Sequence, residues 1–260
     1  MSTEPLLLRQ DDGRGLCTLT LNRPEAFNAL SEELLAALQA ELNQLAQESE
    51  LRVVVIEAAG KAFCAGHDLK QMRAEPSLAY YQSLFAQCGR MMMSLQKLPV
   101  PVIAKVQGVA TAAGCQLVAQ CDLAVAAPNA RFAVSGVNLG LFCATPSVAL
   151  SRNLPRKAAF EMLATGDFIS AERAQALGLI NRVAEDLDAA VETLVESILG
   201  KPRLALSLGK QLFYRQIETG MAAAYDDAAQ TMACNMMDAS ALEGVQAFID
   251  KRQPDWGSDH

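Results

Sequence analysis

An α/β core followed by a mostly helical C-terminal part is the architecture this sequence predicts, and three observations predict it. Short apolar or alternating runs, LCTLTLN (16–22), RVVVIEA (52–58), VPVIAKV (100–106) and DLAVAA (122–127), read as strands. The segments between them carry helical spacing. From about residue 156 onward almost every segment is helical in pattern.

Taken in order, the alternation of 16–22 gives the first strand. SEELLAALQAELNQLAQ (31–47) then places Leu34, Leu38, Leu42 and Leu45 on one stripe, with Ser31 as N-cap and two acids in the first turn. The β-branched run at 52–58 gives the second strand. A helix follows around 78–97 and is stopped by Pro99. The runs at 100–106 and 122–127 are almost continuously apolar, as in strands buried on both faces. Between them GVATAAGCQLV (108–118) reads as a loop running into a helix.

Past residue 156, RKAAFEMLATG, SAERAQALG and DLDAAVETLVESILG each end at a glycine, Gly166, Gly178 and Gly200, as helices do. LINRV (179–183) is a candidate last short strand, and Leu204 to Ile249 is helical throughout. The Ala- and Met-rich stretch 222–237 is suited to packing on the core or on another subunit. No internal repeat or low-complexity tract interrupts the chain.

With 260 residues the chain is long enough to bury a substantial core. Hydrophobic residues make up 51% and charged residues 20%, the balance of a folded protein rather than a disordered one. Its 22 Lys and Arg against 29 Asp and Glu give a net charge of -7, which argues against nucleic acid as a partner. Seven cysteines, Cys17, Cys64, Cys88, Cys115, Cys121, Cys143 and Cys234, show no CxxC spacing and read as free thiols in a reducing compartment. The only histidines are His67 and His260, too few for most metal sites, and no metal is expected. No signal-like leader and no membrane span is read in the sequence, so a cytoplasmic location is expected.

Two stretches carry the chemistry. GKAFCAGHDLKQM (60–72) and GVATAAGCQLV each follow a strand, pass through small residues and enter a helix. Such turns leave backbone N–H groups free to meet an oxygen that carries negative charge. Facing one another, two of them would aim two donors at one atom. Small side chains then admit a ligand to the backbone. The alternative reading is steric: the small residues let a helix pack against a sheet. Both stand on spacing alone.

LNRPEAFNAL (21–30), AFCAGHDLKQM (62–72), PVPVIAKVQGVATAAGCQLVAQCDLAVA (99–126), FEMLATGDFISAERAQALGLINRV (160–183) and GVQAFIDKRQPDW (244–256) occur in this order over nearly the whole chain. Together they resemble the crotonase, or enoyl-CoA hydratase/isomerase, superfamily. The resemblance implies a spiral of strand-strand-helix turns over residues 1–195 and a helical region over 196–260 for subunit contacts. It also implies a homotrimer or dimer of trimers, and an acyl-CoA thioester as ligand, coenzyme A being part of the substrate rather than a separate cofactor. It places the two oxyanion-binding amides at His67 and Ala113. Ala26, Ala65, Asp68, Leu69 and Lys70 fall at coenzyme A contacts, and Lys251 falls where a C-terminal lysine reaches the nucleotide. Glu25 stands where a basic residue is usual, which weakens phosphate contacts there.

Hydration of an enoyl thioester needs one group to activate water and another to deliver a proton. The resemblance assigns these tasks to two glutamates whose positions are held here by Gln116 and Gly136. An amide orients water but cannot take its proton. Hydration by the usual route is therefore expected to be severely impaired, and Gln116 is expected at most to position water. Three functions remain open: enolate chemistry of the lyase or isomerase kind, decarboxylation of a methylmalonyl- or malonyl-type CoA assisted by His67, and acyl-CoA binding without catalysis. The AGHD and VNLG segments are similar to those of the decarboxylating members, which carry a tyrosine near the position of Cys143.

The His67 imidazole either faces the ligand or is hydrogen-bonded to Asp68 or backbone with no chemical role. Asp122 reads as a loop-ordering carboxylate and Glu161 as a surface residue. Cys115 and Cys143 read as core thiols, Met91–Met93 as core rather than an acyl tunnel, and Trp256 as packing.

Overall fold

The computed structural model describes residues 4–74 and 76–256; His260 lies outside them. A hairpin opens the chain, β1 (Leu7–Asp11) antiparallel to β2 (Leu16–Leu21), followed by α1 (Glu32–Leu45). Ser31 caps α1 by accepting the Leu34 amide, and Leu34, Leu38, Leu42 and Leu45 are all buried. Each such leucine contributes about 1.5–3 kcal/mol by leaving water.

Three similar turns of chain follow. The first is β3 (Val53–Ala58), β4 (Ala62–Cys64), α2 (Leu69–Ala74) and α3 (Leu78–Lys97). The second is β5 (Val102–Val106), β6 (Val109–Thr111) and α4 (Ala113–Gln120). The third is β7 (Leu123–Ala126), β8 (Arg131–Ala133), a 3-10 turn over Ser135–Leu139, α5 (Ala144–Asn153) and α6 (Arg156–Thr165). Each turn gives its first strand to one sheet and its second to another. The chain continues through β9 (Ile169–Ser170), α7 (Ala171–Leu177), β10 (Arg182–Val183) and α8 (Leu187–Leu199).

The larger sheet has the order β1-β2-β3-β5-β7-β10 and is parallel from β2 onward. The smaller has the order β4-β6-β8-β9, with only β9 antiparallel. Alternation along β3 sends Val54 and Ile56 into the main core with α1 and α3. Val53 and Val55 go to the opposite face, where Val191, Val195 and Ile198 of α8 cover them. The central strands are thus apolar on both sides, as their continuous runs predict.

Two readings of the sequence are corrected here. The stretch 108–118 is not a loop into a helix: it contains β6, and the whole second sheet went unpredicted. Its strands are two or three residues long, too short for alternation to show. Of the three consecutive methionines, Met91 and Met92 are buried but Met93 is 47% exposed.

Three helices end the described chain, α9 (Arg203–Gln216), α10 (Met221–Met236) and α11 (Ala239–Ile249). A buried polar cluster ties α9 to the core. Lys210 Nζ donates to Asp122 Oδ2 (2.6 Å) and to the carbonyls of Leu95 and Val100, while the Tyr214 hydroxyl donates to Asp122 Oδ1 (2.7 Å). Asp122 also accepts the Val102 amide, the ordering role read for it in the sequence. In contrast, α10 has no buried residue in this single chain. Trp256 lies against Gly244 of α11, a packing role.

Candidate active site

A cavity of about 230 Å³ opens where β4 runs into α2 and β6 into α4. His67, Ala112 and Ala113 line one side of it, and Ser135, Gly136 and Cys143 the other.

Local pairing explains why His67 presents its amide here. Leu30 donates to the Gly66 carbonyl (2.7 Å) and its own carbonyl accepts the Asp68 amide (3.2 Å). Both bonds go to the residues flanking His67, as in a parallel bridge, so the His67 N–H turns to the side away from Leu30. Ala113 is the first residue of α4, where the amide has no partner within the helix. Neither amide has a hydrogen-bond partner among the described residues. The preceding Ala112 sits at φ 51, ψ -121, a conformation L-residues rarely adopt. Strain of this kind, about 1–3 kcal/mol, persists where surrounding structure enforces it and clusters at functional sites.

The glycines bring the two segments together. A Cβ on Gly66 would lie 2.9 Å from Ala112 Cβ and 3.3 Å from Ala113 N, so the two turns are in direct contact. On Gly114 it would meet the Cys64 carbonyl oxygen at 2.1 Å, and on Gly108 that of Lys61 at 2.1 Å. Both readings of the small-residue run therefore hold for different residues. Gly108 and Gly114 serve close packing against β4 and its approach, while Ala112 and Ala113 border the cavity.

The His67 ring lies edge-on to Phe85, 5.5 Å between centroids, and both ring nitrogens are buried without a hydrogen-bond partner among the described residues. Burial lowers its pKa below the ordinary value, opposed by the nearby Leu30 backbone, which is not placed for a hydrogen bond. The ring is therefore neutral near pH 7. Asp68 does not bond it. The Asp68 carboxylate accepts from Arg23 (3.0 Å) and from the amides of Lys70 and Gln71; burial would raise its pKa, but these partners outweigh burial and hold it low.

The opposite wall is closed. A Cβ on Gly136 would fall 2.5 Å from the Leu141 carbonyl oxygen and 2.7 Å from Cys143 Sγ, so no side chain fits at this position without moving the 141–143 segment. Cys143, read as a core thiol, is buried but also lines the cavity, and burial raises its pKa, so it is a protonated thiol. Cys115 is a core thiol pushed up to about 12 by burial. Ser135 pairs its hydroxyl with that of Thr111 at 3.0 Å. No carboxylate lines the cavity among the described residues.

Of the residues singled out in the sequence, the structure brings Ala65, His67, Leu69, Ala113 and Gly136 to this cavity. Gln116 is on α4 one turn past Ala113, 4% exposed, with its Oε1 unpartnered among the described residues, and it is not part of the lining. Ala26 ends the 3-10 turn Pro24–Ala26, and Lys70 and Lys251 are exposed, all outside the lining. Glu161 is exposed on α6. Sequence reasoning missed Phe85 and the 139–146 wall, which reach the cavity only through tertiary packing.

The sequence profile of the enoyl-CoA hydratase/isomerase family matches residues 11–259. A crystal structure of an enoyl-CoA hydratase from Mycobacterium smegmatis superposes with a TM-score of 0.96 at 64% identity, covering 97% of this chain and 99% of that one. That of human enoyl coenzyme A hydratase domain-containing protein 3 gives 0.93 at 41%, covering 97% and 100%. The rat enoyl-CoA hydratase domain-containing protein 3, mitochondrial, is 42% identical over 256 residues, 98% of this chain and 85% of its own length. Its name places that relative in mitochondria, which overturns the expectation of a cytoplasmic protein. No described helix is long and apolar enough to cross a membrane. With the ββα spiral, the two-sheet topology and the paired turns, these matches show that the chain belongs to the enoyl-CoA hydratase/isomerase, or crotonase, family.

Proposed function

We propose that this protein binds an acyl-CoA thioester and stabilises its enolate through the N–H groups of His67 and Ala113, without hydrating it by the usual two-carboxylate route. The observation that carries the reading is the pair of unpartnered amides bordering a cavity that no described carboxylate lines. Each donor aimed at a developing oxyanion in a site shielded from water contributes roughly 2.7–4 kcal/mol to the transition state. Neutral His67 is the group available to accept or return a proton at the α carbon. Gln116 orients water at most. In the same reading Ala26, Ala65, Leu69, Lys70 and Lys251 meet coenzyme A, with Asp68 holding the α2 entry in place.

The test is incubation with crotonyl-CoA. Loss of the enone absorbance should run roughly 100-fold or more below that of a glutamate-bearing relative, while exchange of α-hydrogens of butyryl-CoA with deuterated water proceeds. Gly136→Glu should not rescue hydration, because its side chain meets Leu141 and Cys143. Hydration at the rate of a glutamate-bearing relative would contradict the proposal.

We also propose that residues 196–260 carry contacts between subunits of a trimer. That α10 has no buried residue in the single chain, with Met221, Tyr225 and Met232 exposed, supports this. Sedimentation of the purified protein as a monomer would refute it.

A further inference from the structure

The cavity's lining is as informative for the charges it lacks as for its amides. Leu69, Met72, Phe85, Leu139, Leu141 and Phe142 are its large apolar side chains. Among the described residues, no Lys, Arg, Asp or Glu contributes. The polar side chains present, His67, Ser135, Cys143 and Thr145, are all neutral. The Ser135 hydroxyl is engaged with Thr111, and the His67 ring is neutral. The Arg23 guanidinium, outside the lining, is held by Asp68 and the Ala29 carbonyl. Leu139, Leu141 and Phe142 give this cavity an apolar surface on which the end of an acyl chain can lie.

Resting on the acyl-CoA reading above, we infer that this site selects acyl groups that are uncharged to their ends and refuses chains of similar length that end in a second carboxylate. An anion at the chain end would give up water and find no cation among the lining side chains, only neutral donors such as the Thr145 hydroxyl. The alkyl end of a monoacid thioester gains there by leaving water. Leu141, with its neighbours Leu139 and Phe142, is the specificity-determining wall. All three are partly exposed in the ligand-free chain and would be covered by the acyl end.

Hexanoyl-CoA and adipyl-CoA have six acyl carbons each and differ in the terminal carboxylate, so calorimetric titration of both near neutral pH tests the inference. Adipyl-CoA should bind more weakly by roughly tenfold or more. Leu141→Lys should close that gap by supplying a cation, with hexanoyl-CoA binding and thermal melting as checks on its fold. Should that variant melt early, Leu139→Lys, at a position 68% exposed, makes the same test. A gap below about tenfold in the wild type overturns the inference and leaves the acyl-CoA reading intact. Failure of both esters to bind overturns both.

Discussion

The two walls of the cavity are built in different ways. On the His67–Ala113 side, backbone geometry does the positioning: a bridge at Leu30, a strained Ala112 and a glycine contact hold two amides free. On the Gly136 side, geometry removes a possibility, because Leu141 and Cys143 fill the space a side chain would need. One wall supplies donors and the other excludes an acid or base. The difference teaches that one cavity can owe one wall to backbone hydrogen bonding and another to steric exclusion.

The largest expected effect concerns what braces the amide wall from behind. Asp122 follows Cys121, the C-cap of α4, and its bond to Lys210 ties the chain just past the far end of that helix to α9. Lys210→Met should cost about 3 kcal/mol in a denaturant melt, because it leaves the partly buried Asp122 carboxylate without its cation and with only the Tyr214 hydroxyl and the Val102 amide as donors. Next, Ala113→Pro removes one N–H at the helix position that tolerates proline. It should lower α-hydrogen exchange by roughly 100- to 1,000-fold, with far-UV circular dichroism reporting an intact fold.

A pair of smaller changes sharpens the contrast between the walls. Gly114→Ala and Gly136→Ala should each cost about 1–3 kcal/mol through overpacking. Gly114→Ala should also depress exchange by displacing Ala113, whereas Gly136→Ala should instead weaken acyl-CoA binding by narrowing the cavity. The smallest effect is on pH dependence. Folded His67 has a lowered pKa, so below about 6.5 the unfolded chain takes a proton that the native ring refuses. Its stabilising contribution is present above that pH and is lost as pH falls, by no more than about 1.4 kcal/mol per pH unit. His67→Gln should remove this slope from the variant, so the stability difference between wild type and variant should itself change with pH below about 6.5.

Much of the fold was legible because its signals are local. The α1 stripe, its Ser31 cap and the apolar strands of the larger sheet each follow from a single run of residues. The second sheet was not legible, since three-residue strands such as β4 and β6 carry no period. The amide side of the site could be read from AGHD and ATAAG as turns entering helices, aided by family resemblance. The closed wall could not, because Leu141 and Cys143 reach Gly136 only when the chain folds back after the 3-10 turn. Nor does any pattern announce that Gly108 and Gly114 face strand carbonyls whereas Ala112 and Ala113 face the cavity.

The most direct measurement is a crystal structure of the protein with butyryl-CoA bound. The account predicts the thioester oxygen about 2.7–3.1 Å from both the His67 and Ala113 nitrogens, with no carboxylate near the α and β carbons. A thioester oxygen turned away from either nitrogen, or a carboxylate beside the β carbon, would contradict it.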